Sequence, residues 1–205
     1  MSDQRSLRRI TQPKVLIVEG EDEKRLFSEM LAYLDLRDVE IRDIGGKSKF
    51  RRNIKALRMT SGFDMVTSIG VVRDADEDPA AALQSICDAL ENADLARPTD
   101  PLQPAGDSPK VVVMIVPNEE TPGMLEDLCL QSVREDPAMR CVDEYFECLQ
   151  EQLELLPRNL SKARVHVFLA SRERPDLRLG EAAQKGYWSW GHPAFEQAKQ
   201  FLAML

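Results

Sequence analysis

The chain has 205 residues, of which 43% are hydrophobic, and a net charge of −8. This length and hydrophobic content predict one domain, or one domain with a small appendage. No apolar run approaches the length of a membrane span, and no apolar stretch of the signal-peptide type follows the polar N-terminus, so we expect a cytoplasmic protein. The acidic excess is confined to residues 74–160, which argues against nonspecific nucleic-acid binding by the whole surface but leaves room for a local basic patch.

Hydrophobic periodicity predicts strands that alternate with helices along the chain. Continuous or alternating apolar runs predict four strands, at residues 15–18, 39–44, 66–72 and 111–116. Apolar residues at helical spacing predict helices, the first with Asp22 as its N-cap and the others at residues 48–59, 79–95, 123–131, 137–155 and 193–204. The alternation favours an α/β fold with a mostly parallel four-stranded sheet flanked by helices.

Some local features are less direct to assign. Residues 163–171 have strand propensity at their centre but flanks typical of a helix, and we favour a helix. Residues 96–109 contain four prolines and no periodicity, so we expect an exposed loop that is mobile or functional.

The cysteines include no Cys-x-x-Cys pair, and we expect reduced side chains packed like small hydrophobes. They are Cys87, Cys129, Cys141 and Cys148.

Acidic side chains follow three of the predicted strands, near the point where each strand ends. Glu19 follows the first strand, Asp74 and Asp76 follow the third, and Glu126 and Asp127 come shortly after the fourth. Because the carboxyl ends of parallel strands lie along one edge of a sheet, where such folds bind their ligands, we expect these carboxylates to meet there. Carboxylates brought together repel one another, and a divalent cation such as Mg²⁺ or Mn²⁺ relieves that repulsion.

The same motifs resemble the TOPRIM domain, the metal-binding fold of topoisomerases, bacterial-type primases and OLD-family nucleases. The matching motifs are Val18-Glu19-Gly20 after a strand, Gly45-Gly46 after the next segment and Asp74-Ala75-Asp76 after a third strand. Segments 122–127 and 183–188 are closer still to a family of small OLD-related TOPRIM proteins. The resemblance implies a polar tail at residues 1–13, a TOPRIM-like α/β domain at 14–131, and a helical elaboration at 132–205 packed on the same domain.

The resemblance also implies roles for individual acids. Glu19 would bind metal or act as a general acid or base, and Asp74 and Asp76 would ligate Mg²⁺. Glu23 stands four residues after Glu19, where OLD-type nucleases carry an acid that is often Asp. Structural alternatives stay open, because Glu19 could cap a helix or form an ion pair, and the other acids could belong to a solvated surface.

A second set of residues is implied in the same way. OLD-type sites take acids for a second metal from the region that holds Glu126 and Asp127. They also use a lysine to contact phosphate or the transition state, and Lys162 and Lys185 are both candidates. The alternatives are an exposed first helical turn for the two acids and solvated surface positions for the two lysines.

A basic segment follows the glycine turn at residues 45–46. Ile41 occupies the position at which a P-loop needs glycine, so a P-loop is excluded. The basic residues start on the same sheet edge as the acids and are candidates for binding nucleic acid, although such a helix face is more often simply solvated. These candidates are Lys47, Lys49, Arg51, Arg52 and Lys55.

Together these features predict metal-dependent phosphoryl transfer on nucleic acid, either DNA or RNA, by a TOPRIM/OLD-like nuclease or nuclease subunit. The alternative is a non-catalytic TOPRIM-fold adaptor that binds a protein partner. The chain shows no zinc-binding domain and is too short to add a topoisomerase's tyrosine domain, which argues against a primase and a topoisomerase. It has no ATPase motif, so any ATP-driven partner would be a separate chain.

Overall fold

The computed structural model describes residues 9–153 and 156–205. Four parallel strands form one sheet in the order β2-β1-β3-β4. The strands are β1 (Lys14–Val18), β2 (Val39–Asp43), β3 (Ser68–Asp74) and β4 (Lys110–Val116). The predicted α/β fold with a parallel four-stranded sheet is therefore confirmed, and all four strands end on the same edge.

Helices connect the strands and cover the sheet. They are α1 (Glu21–Tyr33), α2 (Phe50–Arg58), α3 (Pro79–Glu91), α4 (Leu125–Ser132), α5 (Pro137–Leu153), α6 (Leu160–Ala170), α7 (Leu179–Gln184) and α8 (Glu196–Ala203). The segment that fitted either a strand or a helix lies in α6, as favoured. The predicted end of α5 at residues 154–155 falls outside the described residues, as does most of the polar tail. Among the helices in the described ranges, none is both long and apolar enough to cross a membrane.

The sheet is covered on both faces, which explains why three of its strands are almost continuously apolar. On one face α2 and α3 pack on the sheet, with Phe50 in the core, and on the other α1 contributes Phe27. The C-terminal residues press directly on β3, because a Cβ at Gly70 would lie 2.8 Å from Leu205 Cδ2 and 2.9 Å from Phe201 Cζ. Glycine at this position therefore lets the end of the chain close over a central strand.

The prediction that the cysteines pack as buried hydrophobes is wrong for two of them. Cys87 and Cys129 are buried, whereas Cys141 and Cys148 are exposed on α5. This helix buries a stripe at positions 139, 142 and 146. Positions 141 and 148 fall on the opposite side of a helix with 3.6 residues per turn, so they face away from the core.

The prediction that Asp22 caps α1 is also wrong. The helix begins at Glu21 with Gly20 at its N-cap. Asp22 Oδ1 instead accepts a hydrogen bond from the Gly180 N–H at 3.1 Å. Gly180 opens the short helix α7, which the sequence did not predict, and a Cβ there would lie 2.8 Å from the Asp22 carbonyl oxygen. Asp22 therefore fastens α7 closely against α1.

The proline-rich segment 96–109 is more closely attached to the sheet than a free loop. The Leu102 N–H donates to the Val113 carbonyl at 2.8 Å, and Ala105 and Val111 exchange two hydrogen bonds of 2.8 Å. These bonds satisfy backbone groups on the outer edge of β4. The segment therefore covers an edge strand that would otherwise be open to pairing with other chains.

Candidate functional site

The carboxyl-terminal edge of the sheet carries a cleft of about 430 Å³, between the ends of β1 and β3 and the first turns of α4 and α6. Seven carboxylate residues and only two lysines line it, so we call it the acidic cleft. Five of the predicted metal ligands are among these residues. They are Glu19, Glu23, Asp74, Asp76 and Glu126.

Glu19 directly follows β1, and the glycine turn after β2 wraps around it. Gly45 and Gly46 have φ angles of 69° and 100°, a region that favours glycine, and the Gly46 N–H donates to the Glu19 carbonyl at 2.9 Å. The next N–H, from Lys47, donates to the Glu19 carboxylate. Burial raises the pKa of Glu19, as does Asp76, while the positive charges of Lys47 and Arg73 oppose the shift.

Asp74 ends β3 and faces the first turn of α4. Its Oδ1 accepts a hydrogen bond from the Leu125 N–H at 3.0 Å. Burial, followed by the negative charges of Glu23, Glu19 and Glu126, raises the pKa of Asp74 to about 8. Without a cation, this carboxyl group is therefore protonated at neutral pH.

Asp76 is held in a backbone conformation that non-glycine residues rarely adopt, with φ at 55°. Its N–H and C=O exchange two hydrogen bonds of 2.8 Å with Gly123. Gly123 has a φ of 145°, and a Cβ there would lie 2.9 Å from Asp127 Oδ2. The carboxylate of Asp76 forms an ion pair with the Lys47 ammonium. Backbone strain of this kind is typical of functional sites, where the surrounding structure holds it in place.

Glu23 and Glu126 complete the acidic cleft from two helices. Burial raises the pKa of Glu23, and the charges of Glu19, Asp22 and Glu126 raise it further. Glu126 lies in the first turn of α4, where the helix dipole favours a carboxylate. The ammonium of Lys162, from the first turn of α6, lies 3.7 Å from Glu126 Oε1. The cleft thus places one lysine beside Asp76 and the other beside Glu126.

These carboxylates do not form a preassembled ligand cluster. Within residues 9–153 and 156–205, no three acidic, histidine or cysteine side chains stand close enough to hold one ion together. Glu19, Asp74 and Asp76 each contact a different donor, namely the Lys47 N–H, the Leu125 N–H and the Lys47 ammonium. Sharing one ion would therefore require side chains within the cleft to rotate toward each other.

Comparison with known proteins adds a family and a fold. A family model described as a protein of unknown function, DUF3226, matches residues 13–205. The chain belongs to the DUF3226 family. No curated protein matches it.

Two solved structures resemble this DUF3226 protein. The C-terminal region of the Burkholderia pseudomallei OLD protein is 15% identical, with a TM-score of 0.52 over 96% of this chain and 100% of that one. The C-terminal region of the Xanthomonas campestris pv. campestris OLD protein is 13% identical, with a TM-score of 0.39 over 95% of this chain and 84% of that one. At such identities the first likeness shows a shared fold.

The DUF3226 structure does not bring two of the predicted site residues into the acidic cleft. Asp127 caps α4, accepting hydrogen bonds from the Met124 N–H at 2.9 Å and from Ser161 Oγ at 2.5 Å. Lys185 is exposed at the end of α7 and is not among the lining residues. Of the two candidate lysines, Lys162 is therefore the one placed at the site.

The five predicted nucleic-acid-binding residues of this DUF3226 chain divide into two groups. Lys47 lines the acidic cleft, whereas the other four are absent from its lining. Lys49 lies in the 3₁₀ turn before α2, and Arg51, Arg52 and Lys55 are exposed on α2 itself. Arg51 donates to Asn92 Oδ1 at 2.6 Å, at the end of α3. The basic segment therefore begins at the acidic cleft with Lys47, and its other four residues lie outside the cleft.

Sequence reasoning missed Asn159, which lines the acidic cleft of the DUF3226 protein. Asn159 is the N-cap of α6 and accepts a hydrogen bond from the Lys162 N–H at 2.9 Å. An asparagine is a common N-cap and so a helix-start signal, but it carried little weight while the segment after it fitted either a strand or a helix. Asn159 fixes the turn from which Lys162 projects.

Proposed function

We propose that this DUF3226 protein is a TOPRIM-type, divalent-cation-dependent nuclease or nuclease subunit acting on DNA or RNA. The observation that carries the proposal is the convergence of Glu19, Glu23, Asp74, Asp76 and Glu126 on one cleft at the carboxyl edge of a parallel sheet. Open α/β sheets bind their ligands at this edge. The motifs that resemble TOPRIM supply three of these five residues.

The donor set fits a hard divalent cation. All five residues offer carboxylate oxygens, which suit Mg²⁺ or Mn²⁺ better than softer metals. The pKa values of Glu19, Glu23 and Asp74 are all raised by burial and by neighbouring carboxylates, so the cleft disfavours its own full ionisation. Such a group of acids is stabilised as carboxylates when a positive charge joins them.

A divalent cation held there would supply Lewis-acid stabilisation for charge developing on a phosphodiester. Phosphate binding and proton transfer would be carried out by side chains of the protein. Lys162 and Lys47 stand beside the acids and would hold phosphate oxygens by charge-assisted hydrogen bonds. Glu19 is half-buried and burial raises its pKa, which suits a residue that accepts and returns a proton.

The fold shared with the C-terminal region of the Burkholderia pseudomallei OLD protein supports this proposal. That region and this chain match over nearly their full lengths. The resemblance of the strand-end motifs to OLD-family nucleases points to the same chemistry.

Metal binding and hydrolysis test the proposal together. We expect millimolar Mn²⁺ to raise the melting temperature of the wild type by about 5–10 °C, corresponding to roughly 2–3 kcal/mol of binding to the native state. The Asp74→Asn, Asp76→Asn double variant should show little shift and should not cleave single-stranded DNA or RNA with Mg²⁺ or Mn²⁺.

A matched control keeps this test specific. Asp100→Asn with Asp107→Asn removes two exposed acids from segment 96–109 and should behave as the wild type. Equal Mn²⁺ shifts in the wild type and the Asp74, Asp76 variant would place the metal elsewhere. A wild type that binds metal but neither binds nor cleaves nucleic acid would favour the adaptor function.

A further inference from the structure

A second cleft, of about 590 Å³, adjoins the acidic cleft. The two share four lining residues, Lys47, Asp76, Met124 and Asn159, so the Lys47–Asp76 ion pair stands in the wall between them. The remaining wall comes from the end of β3, the first turn of α3 and the segment before α6. The two clefts therefore lie side by side and share this wall.

The charge of the second cleft differs from that of the acidic cleft. Three cationic side chains line it, from Lys47, Arg73 and Arg158, against three acids. Two of those acids are already engaged, because Asp76 pairs with Lys47 and Asp78 caps α3 by accepting the Ala81 N–H at 3.0 Å. The Lys47–Asp76 pair removes one charge of each sign, so Arg73 and Arg158 face Glu77 and Asp78 and the lining is neutral overall, whereas seven acids face two lysines in the acidic cleft.

Arg73 has hydrogen-bonding capacity that the described residues do not use. Its Nε is buried without a hydrogen-bond partner, and its Nη1 makes one long contact of 3.4 Å to Ser85 Oγ. The guanidinium carbon lies 5.7 Å from the centre of the Phe50 ring, which supports one face of the group. A guanidinium with so few partners is unusual, because unsatisfied buried donors cost free energy.

Arg158 supplies a second cation whose charge is not neutralised by the residues that the structure describes. It is exposed, just before the N-cap of α6, and forms no ion pair or hydrogen bond with residues 9–153 or 156–205. Arg73 and Arg158 line the same cleft, one from β3 and one from the segment before α6. A bidentate anion such as a phosphate diester matches two guanidinium groups.

We propose that the second cleft binds a backbone phosphate of the nucleic-acid strand, next to the phosphodiester that lies at the acidic cleft. This inference rests on the proposed function. Lys47, in the shared wall, contacts the strand as it passes between the two clefts. Among the residues that the structure describes, no aromatic side chain lines the second cleft, so it reads the backbone and not the bases.

Binding of a fluorescein-labelled single strand of about 12 nucleotides, followed by anisotropy with Ca²⁺ in place of Mg²⁺, tests this inference. Arg158→Ala should weaken binding about five- to tenfold. It should also lower the slope of log K against log salt by about one phosphate contact, roughly 0.7 for a single strand. Arg158→Glu should weaken binding further, and Arg73→Met should give a loss of similar size to Arg158→Ala.

Controls separate this inference from the proposed function. Arg134→Ala, an exposed arginine beyond the end of α4, should bind as the wild type, and the Mn²⁺ shift in melting temperature should be unchanged in Arg158→Ala. If the wild type binds the strand but Arg158→Ala and Arg158→Glu bind as tightly as Arg134→Ala, the second cleft is not a phosphate site and the nuclease proposal stands. If the wild type does not bind at all, both proposals fail.

Discussion

Asp74 is the residue whose titration governs the acidic cleft. Its pKa of about 8 in the folded protein compares with an ordinary value of 3.8. Between these two values the unfolded chain carries an ionised Asp74 while the folded protein carries a protonated one. The unfolded state then binds fewer protons, so the cation-free protein loses stability as the pH rises from about 4 to about 8. Above that range both states are ionised and the loss is complete.

Asp74→Asn should remove this pH dependence. Asparagine keeps an oxygen that can accept the Leu125 N–H, but it cannot ionise. In EDTA, the variant should be more stable than the wild type near pH 8, by on the order of 2 kcal/mol, with a much smaller gain near pH 5. Urea denaturation across this range measures the difference. A gain of the same size at every pH would mean that Asp74 is ionised in the folded protein.

The ammonium group of Lys47 lies within the proposed cation site. This ammonium pairs with Asp76, and the Lys47 N–H binds the Glu19 carboxylate. A divalent cation that binds these carboxylates must compete with the ammonium or displace it. The displaced side chain would then be available to the nucleic-acid strand in the shared wall of the two clefts.

Lys47→Met should therefore strengthen Mn²⁺ binding, by about two- to fivefold, because it removes a repelling charge on the order of 0.5–1 kcal/mol. The same variant should weaken nucleic-acid binding. Isothermal titration calorimetry measures the first effect, and Lys49→Met, which leaves the acidic cleft intact, is the matched control. Weaker Mn²⁺ binding in Lys47→Met would show that the ammonium holds the acids in place rather than competing with the cation.

At the scale of elements, the sequence could predict where the acids lie but not which way each one points. Parallel strands that alternate with helices put Glu19, Asp74 and Asp76 on one edge whatever the details of packing. Glu126 and Asp127 are adjacent on a helix and so point about 100° apart. Which of them faces the cleft depends on how α4 and α6 dock, a tertiary contact that periodicity does not encode. The sequence did not predict the short helix α7 for the same reason, because a tertiary contact with Asp22 of α1 holds it in place.

Glu126 and Asp127 should consequently separate metal binding from stability. Asp127→Ala loses hydrogen bonds from the Met124 N–H and Ser161 Oγ and should destabilise the protein by about 1–3 kcal/mol. Glu126→Gln should leave stability nearly unchanged but weaken Mn²⁺ binding, because Glu126 lines the acidic cleft. Denaturation and Mn²⁺ titration of both variants test this. If folded Asp127→Ala loses as much Mn²⁺ affinity as Glu126→Gln, Asp127 also takes part in metal binding.

At the scale of the whole molecule, a chain of net charge −8 must bring a polyanion to an acidic cleft. The basic segment begins beside that cleft at Lys47, but α2 then runs back along the sheet, as connecting helices in parallel sheets do. With nine residues, α2 is about 14 Å long. Its outer cations, Lys55 and Arg58 in the last turn, therefore flank the path of a long strand rather than contact the phosphate at the acids.

This geometry predicts that Lys55→Ala with Arg58→Ala weakens the binding of long strands more than that of short ones. A strand of about 4 nucleotides, a quarter of the length of one of about 16, can fill the two clefts without reaching the far part of α2, whereas the longer strand can reach both. The double variant should lower the salt slope for the long strand by about one to two phosphate contacts and should leave Mn²⁺ affinity unchanged. Arg158→Ala should weaken both lengths, and Arg134→Ala with Arg140→Ala should weaken neither. Anisotropy titrations over a range of salt concentrations compare the four proteins. If the α2 variant loses the same affinity for short strands as for long ones, α2 contacts the strand at the clefts themselves.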